Sequence, residues 1–74
     1  MERYSKEEVE RLKETYQEGT KIELLFMRDD RAPESGTIGV VRCVDDMGTI
    51  HMDWENGSRL GLIEGEDLFL VIRE

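Results

Sequence analysis

The sequence predicts a mostly β fold with one helix, in which an N-terminal amphipathic α-helix precedes five short strands that close into a small barrel. Apolar residues recur at helical spacing in the first segment, and from Thr20 onward they alternate with polar residues. Tight-turn sequences separate the alternating segments, and closure into a barrel is an economical way for a small sheet to hide its edges. A chain of 74 residues supports one domain. We therefore expect a single domain over residues 1–74, with the helix at 5–18 and the barrel at 20–72.

The helix is predicted to begin at Ser5. Ser5 and Glu8 fit the capping box, in which each side chain satisfies a free backbone N–H of the first turn. Gly19 suits the left-handed conformation that is common just past a helix end. The apolar residues between these two ends form one narrow stripe: Val9, Leu12 and Tyr16. A helix with so narrow a stripe is marginal alone, so we expect it to pack on the barrel.

Five segments have the period of two that is typical of strands, namely residues 20–27, 37–44, 49–54, 58–63 and 68–72. In the first, Ile22, Leu24 and Phe26 share one predicted face. In the third, the members of one face are Ile50, Met52 and Trp54. Asn56-Gly57, between the third and fourth segments, is among the strongest hairpin signals. Gly39 in the second segment predicts a sharp bend or a close backbone approach.

The charge of the chain argues against several classes of partner. Acidic residues outnumber basic ones by 18 to 10, which gives a net charge of −8. Binding to nucleic acid through phosphates requires clustered Lys and Arg, so direct nucleic-acid binding is not expected, and anionic membrane surfaces are also disfavoured. No apolar run approaches the ~20 residues of a membrane span, and the first residues do not resemble a signal peptide. Cys43 is the one cysteine, so no disulfide framework is expected, and a cytoplasmic location is predicted.

Three motifs in the β region resemble a known family. They are Gly-x-x-Gly-x-Val at residues 36–41, Val-Asp-Asp-x-Gly at residues 44–48 and Trp-Glu-Asn-Gly-Ser at residues 54–58. With the segments around them, over about residues 19–72, the chain resembles the small bacterial and phage proteins of domain-of-unknown-function family 4314. The resemblance implies an SH3-like or KOW-like small barrel, and a phage or mobile-element setting. It implies no assigned activity.

No group of residues predicts catalysis or metal binding, so an enzyme is not expected. The nearest approach to a metal or acid–base site is a set of polar residues around the second hairpin: Asp45, Asp46, His51, Asp53 and Glu55. Asp is common in turns for backbone hydrogen bonding, and no second His accompanies His51, so structural or solvated roles are favoured. Cys43 as a nucleophile would have only His51 as a base, with no identifiable third group. We predict no catalytic residue, no metal and no cofactor.

A small set of residues is assigned a partner-binding role: Trp54, Arg28, Arg31, Arg59, Glu10 and Glu14. Trp54 is most simply the largest core residue, although aromatic residues near the strand ends of small barrels also line binding grooves. The three arginines lie near loops or strand ends, where neighbouring carboxylates cancel much of a basic patch. The two glutamates lie on the polar face of the helix, which is either a solvated surface or a docking surface for a basic partner.

The function predicted from these observations is a non-enzymatic module that binds an unidentified protein partner. Two alternatives stay open. One is an accessory protein of nucleic-acid machinery that acts through a protein subunit. The other is an acidic inhibitor that occupies the nucleic-acid-binding site of a host enzyme.

Overall fold

The computed structural model describes residues 4–73. One helix precedes four strands, which we label α1 (Lys6–Thr15), β1 (Lys21–Phe26), β2 (Ile38–Val44), β3 (Ile50–Trp54) and β4 (Leu68–Val71). The strands form one antiparallel open sheet with the order β3-β2-β1-β4. The prediction of a mostly β fold with one helix is confirmed. Within residues 4–73, no helix is long and apolar enough to cross a membrane.

The start of α1 follows the predicted capping box. The Ser5 N–H donates to a Glu8 carboxylate oxygen at 2.9 Å, and the Glu8 N–H donates to the Ser5 hydroxyl at 3.1 Å. The helix ends at Thr15 rather than at residue 18, because the backbone leaves the helical conformation at Tyr16 (φ −113°, ψ 71°). Gly19 has the predicted positive φ of 91°, but it lies in the turn that leads into β1.

Four strands are present where the sequence predicts five, because residues 58–63 do not form a regular strand. This segment follows β3 and bonds to it at both ends. The Trp54 N–H donates to the Ser58 carbonyl at 3.0 Å, and Ile50 and Leu62 exchange two backbone hydrogen bonds of 2.8 and 2.9 Å. Between these ends, the Leu60 carbonyl accepts a hydrogen bond of 2.8 Å from the Trp54 indole N–H. A side chain thus takes the place of strand pairing in the middle of the segment.

One hydrophobic core lies between α1 and the inner face of the sheet. The predicted apolar stripe of the helix is buried in it, with Leu12 fully buried and Val9 and Tyr16 nearly so. The predicted inner face of β3 is buried as well. The core consists of Leu12, Tyr16, Ile22, Leu24, Val41, Val44, Ile50, Met52, Trp54 and Leu62. Helix and sheet share this core, so each covers apolar surface that the other would leave in water.

Gly39 makes room for the largest core side chain. It lies opposite Trp54 in the pairing of β2 with β3. A Cβ atom at Gly39 would lie 2.5 Å from Trp54 Cε3, which is closer than two carbon atoms can approach without displacement. The close backbone approach predicted at Gly39 is confirmed, and its physical reason is the indole ring that lies on the glycine.

Candidate protein-interaction surface

The outer face of the sheet, which points away from α1, carries large apolar side chains in contact with solvent. Phe26 is 55% exposed, Leu68 60% and Leu70 54%. Phe26 and Leu68 lie opposite each other in the pairing of β1 with β4, and Leu70 follows Leu68 on the same face of β4. We call these three residues the outer apolar patch. Two further apolar side chains of β1 and β2 are more than a third exposed, Leu25 and Val40.

The outer apolar patch exists because of an irregularity in β1. The predicted alternation placed Phe26 on the same face as Ile22 and Leu24, and this prediction is wrong. The register between β1 and β4 shifts between Leu24 and Phe26. Such a bulge puts an extra residue into one strand and reverses the side on which the following side chains lie. Ile22 and Leu24 therefore stay fully buried, whereas Phe26 turns to the outer face.

The strand β4 forms one edge of the sheet, and half of its backbone groups point away from β1. The Ile72 N–H donates to the Lys21 carbonyl at 2.9 Å. Backbone groups alternate sides along an antiparallel strand, so the N–H and C=O of Phe69 and Val71 point to the far side. Among residues 4–73, no strand pairs with β4 on that side. The strand itself has neither a charged residue nor a proline, which are common means of blunting an edge.

The structure places Trp54 in the core, with 4% of its surface exposed. Trp54 also borders a shallow depression of about 410 Å³, which Ile38, Val40 and Ile72 line as well. The indole N–H is already bonded to the Leu60 carbonyl. Trp54 therefore has an architectural role, and little of its ring is available to a ligand.

The predicted arginines are not brought together into a patch. Arg31 lies 3.9 Å from Asp29 within the β1–β2 loop. Arg59 lies 3.4 Å from Asp53, a carboxylate that Arg42 also approaches at 3.6 Å. The remaining predicted residue of this set, Arg28, is exposed and lines a depression together with Glu66 and Asp67.

The two predicted glutamates, Glu10 and Glu14, are exposed on α1. Lys13 lies between them in sequence, and its ammonium group donates to Asp46 at 2.8 Å. This hydrogen bond is the main cause that raises the pKa of Lys13. The lysine of this helix turn is thereby engaged with the β2–β3 turn, and the glutamates form the acidic part of the surface around it.

The polar residues around the β2–β3 turn organise the turn. One Asp45 oxygen accepts the N–H groups of Met47 (2.9 Å) and Thr49 (3.0 Å), and the other lies 2.8 Å from His51 Nε2. Burial opposes ionisation of Asp45, but these three hydrogen bonds outweigh it and lower the pKa of the carboxyl group. In the described part of the chain, no three His, Cys, Asp or Glu residues are placed to hold a metal ion. Cys43 is exposed and pairs with His51 across β2 and β3.

A polar cluster fixes α1 to the turn before β4. The Tyr16 hydroxyl donates to a Glu64 carboxylate oxygen at 2.7 Å, and Arg11 lies 3.5 Å from the other oxygen. The Tyr4 hydroxyl donates to the Glu64 backbone carbonyl. Burial, and then the hydrogen bond to Glu64, raises the pKa of Tyr16 to about 12. These contacts hold the helix over the inner face of the sheet. The outer face is therefore the side that is accessible to a macromolecule.

The residues of the outer apolar patch were not among those predicted to bind a partner. A signal for them is present in the sequence of β4, Leu-Phe-Leu-Val, which is apolar at every position. In a strand with one solvated face, apolar and polar residues normally alternate. An uninterrupted apolar run therefore indicates that both faces of the strand meet apolar surroundings. The four-residue length of the strand makes this signal weak on its own.

These features define a class of protein, a small mostly β chain in which a helix closes one face of a sheet and the other face carries an exposed apolar patch. Residues 5–72 match the family described as Domain of unknown function (DUF4314), and the chain belongs to that family. No curated protein and no solved structure matches the chain.

Proposed function

We propose that this protein is a non-enzymatic interaction module that binds another protein through the outer apolar patch. The observation that carries the proposal is that Phe26, Leu68 and Leu70 lie side by side and are each more than half exposed. Burying a large apolar side chain stabilises a complex by roughly 1.5–3 kcal/mol, so the patch is a source of binding free energy. Contiguous exposed apolar groups commonly mark interaction sites.

The core provides no alternative use for these side chains. The inner face is already filled by buried residues from the helix, from β1, β2 and β3, and from the segment after β3. The strand β4 adds the partly buried Phe69, whose ring contacts Tyr16 edge to face at 5.7 Å. The patch also contrasts with the rest of the surface, because the chain as a whole carries a net charge of −8. A partner with an apolar surface of its own fits this site best.

We also propose that the sheet, together with the segment after β3, is part of an SH3-like small barrel. The support is that residues 58–62 follow β3 and bond to it at both ends, which continues the sheet by one irregular element beyond its β3 edge. The phage or mobile-element setting and the cytoplasmic location are proposals of the same kind. They rest on the family resemblance and on the single Cys43.

A second candidate function uses the acidic surface of α1. Glu10 and Glu14 are exposed on this helix, and the lysine between them is engaged with Asp46. A basic partner, such as the nucleic-acid-binding site of an enzyme or a subunit of nucleic-acid machinery, would meet complementary charge there. This candidate predicts an interaction that weakens as salt is added.

Affinity capture from a host lysate with three tagged variants tests the proposal and separates it from the second candidate. Phe26→Lys introduces a charge into the outer apolar patch, whereas Met47→Lys makes the same change at an apolar side chain that is 59% exposed in the β2–β3 turn. The proposal predicts partners that are retained by wild type and by Met47→Lys and lost by Phe26→Lys. Equal capture by Phe26→Lys contradicts it, and selective loss in the Glu10→Lys/Glu14→Lys variant favours the second candidate.

A further inference from the structure

We propose that a second copy of this chain occupies the free edge of β4, by antiparallel β4–β4 pairing about a two-fold axis at Leu70. The inference deepens the proposed function and rests on it in part, because Leu68 and Leu70 of the outer apolar patch belong to the same strand. The inference concerns the partner of β4 alone. Phe26, the third residue of the patch, lies on the neighbouring strand β1 and takes no part in the pairing.

The first support is the direction of the backbone groups. The N–H and C=O of Phe69 and Val71 point away from β1, as the hydrogen bond from Ile72 to Lys21 requires. An extended segment that adds to this edge satisfies these groups without any change in β4. In an antiparallel pair centred on Leu70, Phe69 of each copy exchanges two hydrogen bonds with Val71 of the other.

The second support is that β4 is complementary to itself in this register. With Leu70 opposite its own counterpart, the hydrogen bonds of the ladder are confined to Phe69 and Val71, because the Asp67 N–H already donates to the Ile63 carbonyl at 3.0 Å. Beyond the ladder, the side chain of Arg73 of each copy faces the Asp67 side chain of the other, which gives two opposite-charge pairs. The positions between them are apolar on both sides, with Leu68 opposite Ile72 and Phe69 opposite Val71. Sliding the pairing by one hydrogen-bonded step puts Asp67 opposite Val71 or Arg73 opposite Phe69 and loses both charge pairs. An interface of this kind is isologous, as a two-fold dimer requires.

The charges at the two ends of β4 favour a second copy of this chain over an arbitrary extended peptide as the occupant of the edge. Each chain carries a net charge of −8, which opposes association of two copies. The ends of β4 offset this locally, because Arg73 is exposed and the Asp67 carboxylate is held in place by the Ile63 N–H at 2.8 Å. Opposite charges directly across a ladder are favourable and like charges are not, so the register is chosen by these two residues.

The dimer joins the two sheets into one of eight strands, twice the four of a single chain. The outer faces of the two β4 strands become neighbours, so the two outer apolar patches form one continuous apolar surface. The partner protein of the proposed function would then meet a surface that neither copy presents alone.

Cysteine cross-linking in a Cys43→Ser background tests both the pairing and its register. Leu70→Cys places two cysteines at a non-hydrogen-bonded antiparallel pair, where the Cα atoms are about 4.5 Å apart and a disulfide can form. Leu68→Cys is the matched control on the same face, and in the same register its two copies are four residues apart, about 13 Å. Under oxidised glutathione, we expect a covalent dimer from Leu70→Cys and not from Leu68→Cys. Equal cross-linking of both variants, or of neither, overturns the inference.

Sedimentation equilibrium of the full chain gives an independent measurement without cysteine chemistry. We expect a concentration-dependent dimer for wild type and for Met47→Lys, and monomer for Leu70→Lys, because two ammonium groups would then lie opposite each other at the axis. Arg73→Glu should raise the dissociation constant by about tenfold or more, since Asp67 then faces a like charge. A wild type that stays monomeric at millimolar concentration overturns the inference.

The same variants separate the failure of this inference from failure of the proposed function. Phe26→Lys leaves the β4 backbone and both charge pairs intact, so it should dimerise like wild type while losing the captured partner. If Phe26→Lys loses the partner and wild type is monomeric, the proposed function stands and the dimer does not. If Phe26→Lys keeps the partner and Leu70→Cys cross-links selectively, the dimer stands and the proposed function does not.

Discussion

The two edges of the sheet are built differently, although both edge strands are short. The edge at β3 is covered by residues 58–62, which bond to Ile50 and Trp54, and its outer face carries the polar side chains of His51 and Asp53. The edge at β4 is apolar along its whole length and, among residues 4–73, has no strand beyond it. An unprotected edge is a template for pairing with another chain. The structure thus protects the edge at β3, and the open edge at β4 is the basis of the proposed interaction.

The largest expected effect comes from removing Trp54, the core side chain that holds the segment covering the β3 edge. Trp54→Ala should lower the free energy of unfolding by about 3–5 kcal/mol, because it empties the largest site of the core and leaves the Leu60 carbonyl without its donor. For a chain of this size such a loss can equal the total stability, so the variant should be largely unfolded. Urea denaturation followed by circular dichroism measures it.

Trp54→Phe is the matched control, since it keeps an aromatic ring and removes the indole N–H. It should fold and be destabilised by less than the alanine variant. A stably folded Trp54→Ala variant would show that the β3 edge is not held by this side chain, and would return Trp54 to the binding surface.

A smaller effect is expected at Gly61, where the covering segment passes over β3. A Cβ atom there would lie 2.7 Å from Thr49 Cγ2 and 3.2 Å from the Ile50 carbonyl oxygen. Gly61→Ala should therefore destabilise the fold by about 1–3 kcal/mol through overpacking. Thermal melts of Gly61→Ala and of Gly61→Ala/Thr49→Ser measure it, and the second variant should recover part of the loss because serine lacks the Cγ2 methyl group. No recovery would place the strain elsewhere.

The turn that leads into the covered edge gives the chain a defined response to acid. The folded state lowers the pKa of Asp45 below its usual value of 3.8. The stability that Asp45 contributes is then fully present above about pH 3.8 and is lost as the pH falls through the lower pKa of the folded state. Asp45→Asn should unfold with a weaker pH dependence in this range than wild type, in thermal melts between pH 2 and 6.

Asp46→Asn is the control for that measurement, because Asp46 is the next residue of the same turn and its side chain is 96% exposed. A change in the acid response that is equal in Asp45→Asn and Asp46→Asn would contradict the role given to the hydrogen bonds of Asp45.

The smallest effect on stability is expected at the open edge. Leu70→Lys should change the free energy of unfolding of the monomer by no more than about 0.5 kcal/mol, since the leucine side chain is 54% exposed and leaves the core contacts untouched. Urea denaturation at a protein concentration well below the dissociation constant of the dimer measures this change. A loss comparable with that of Gly61→Ala would mean that Leu70 is part of the fold rather than of a binding surface.

The parts of the fold that could be predicted are those in which a local signal and the tertiary structure agree. Ser5 and Glu8 cap the helix as predicted, and the stripe from Val9 to Tyr16 packs on the sheet. The fourth predicted strand failed because the indole of Trp54, which lies outside the segment on the preceding strand, takes the Leu60 carbonyl that a strand would pair. No local pattern in residues 58–63 encodes that competition.

The candidate site was missed for a related reason. The alternation of β1 is clear from Lys21 to Leu24, but the strand ends in three apolar residues, and the bulge after Leu24 that turns Phe26 outward depends on the pairing with β4. The exposure of Leu68 and Leu70 likewise depends on β4 being an edge, which is a property of strand order and not of the strand's own residues. The predicted arginines and glutamates were recognised from their charge alone, and the structure distributes them around the surface.

Backbone amide hydrogen exchange, followed residue by residue in a dilute and a concentrated sample, tests the contrast between the two edges most directly. The amides of Ile50 and Trp54, which donate to Leu62 and Ser58, should be protected in both samples. The amides of Phe69 and Val71 should exchange quickly in the dilute sample and become protected in the concentrated one. Rapid exchange of Phe69 and Val71 at both concentrations, or rapid exchange of Ile50 and Trp54, would contradict the account.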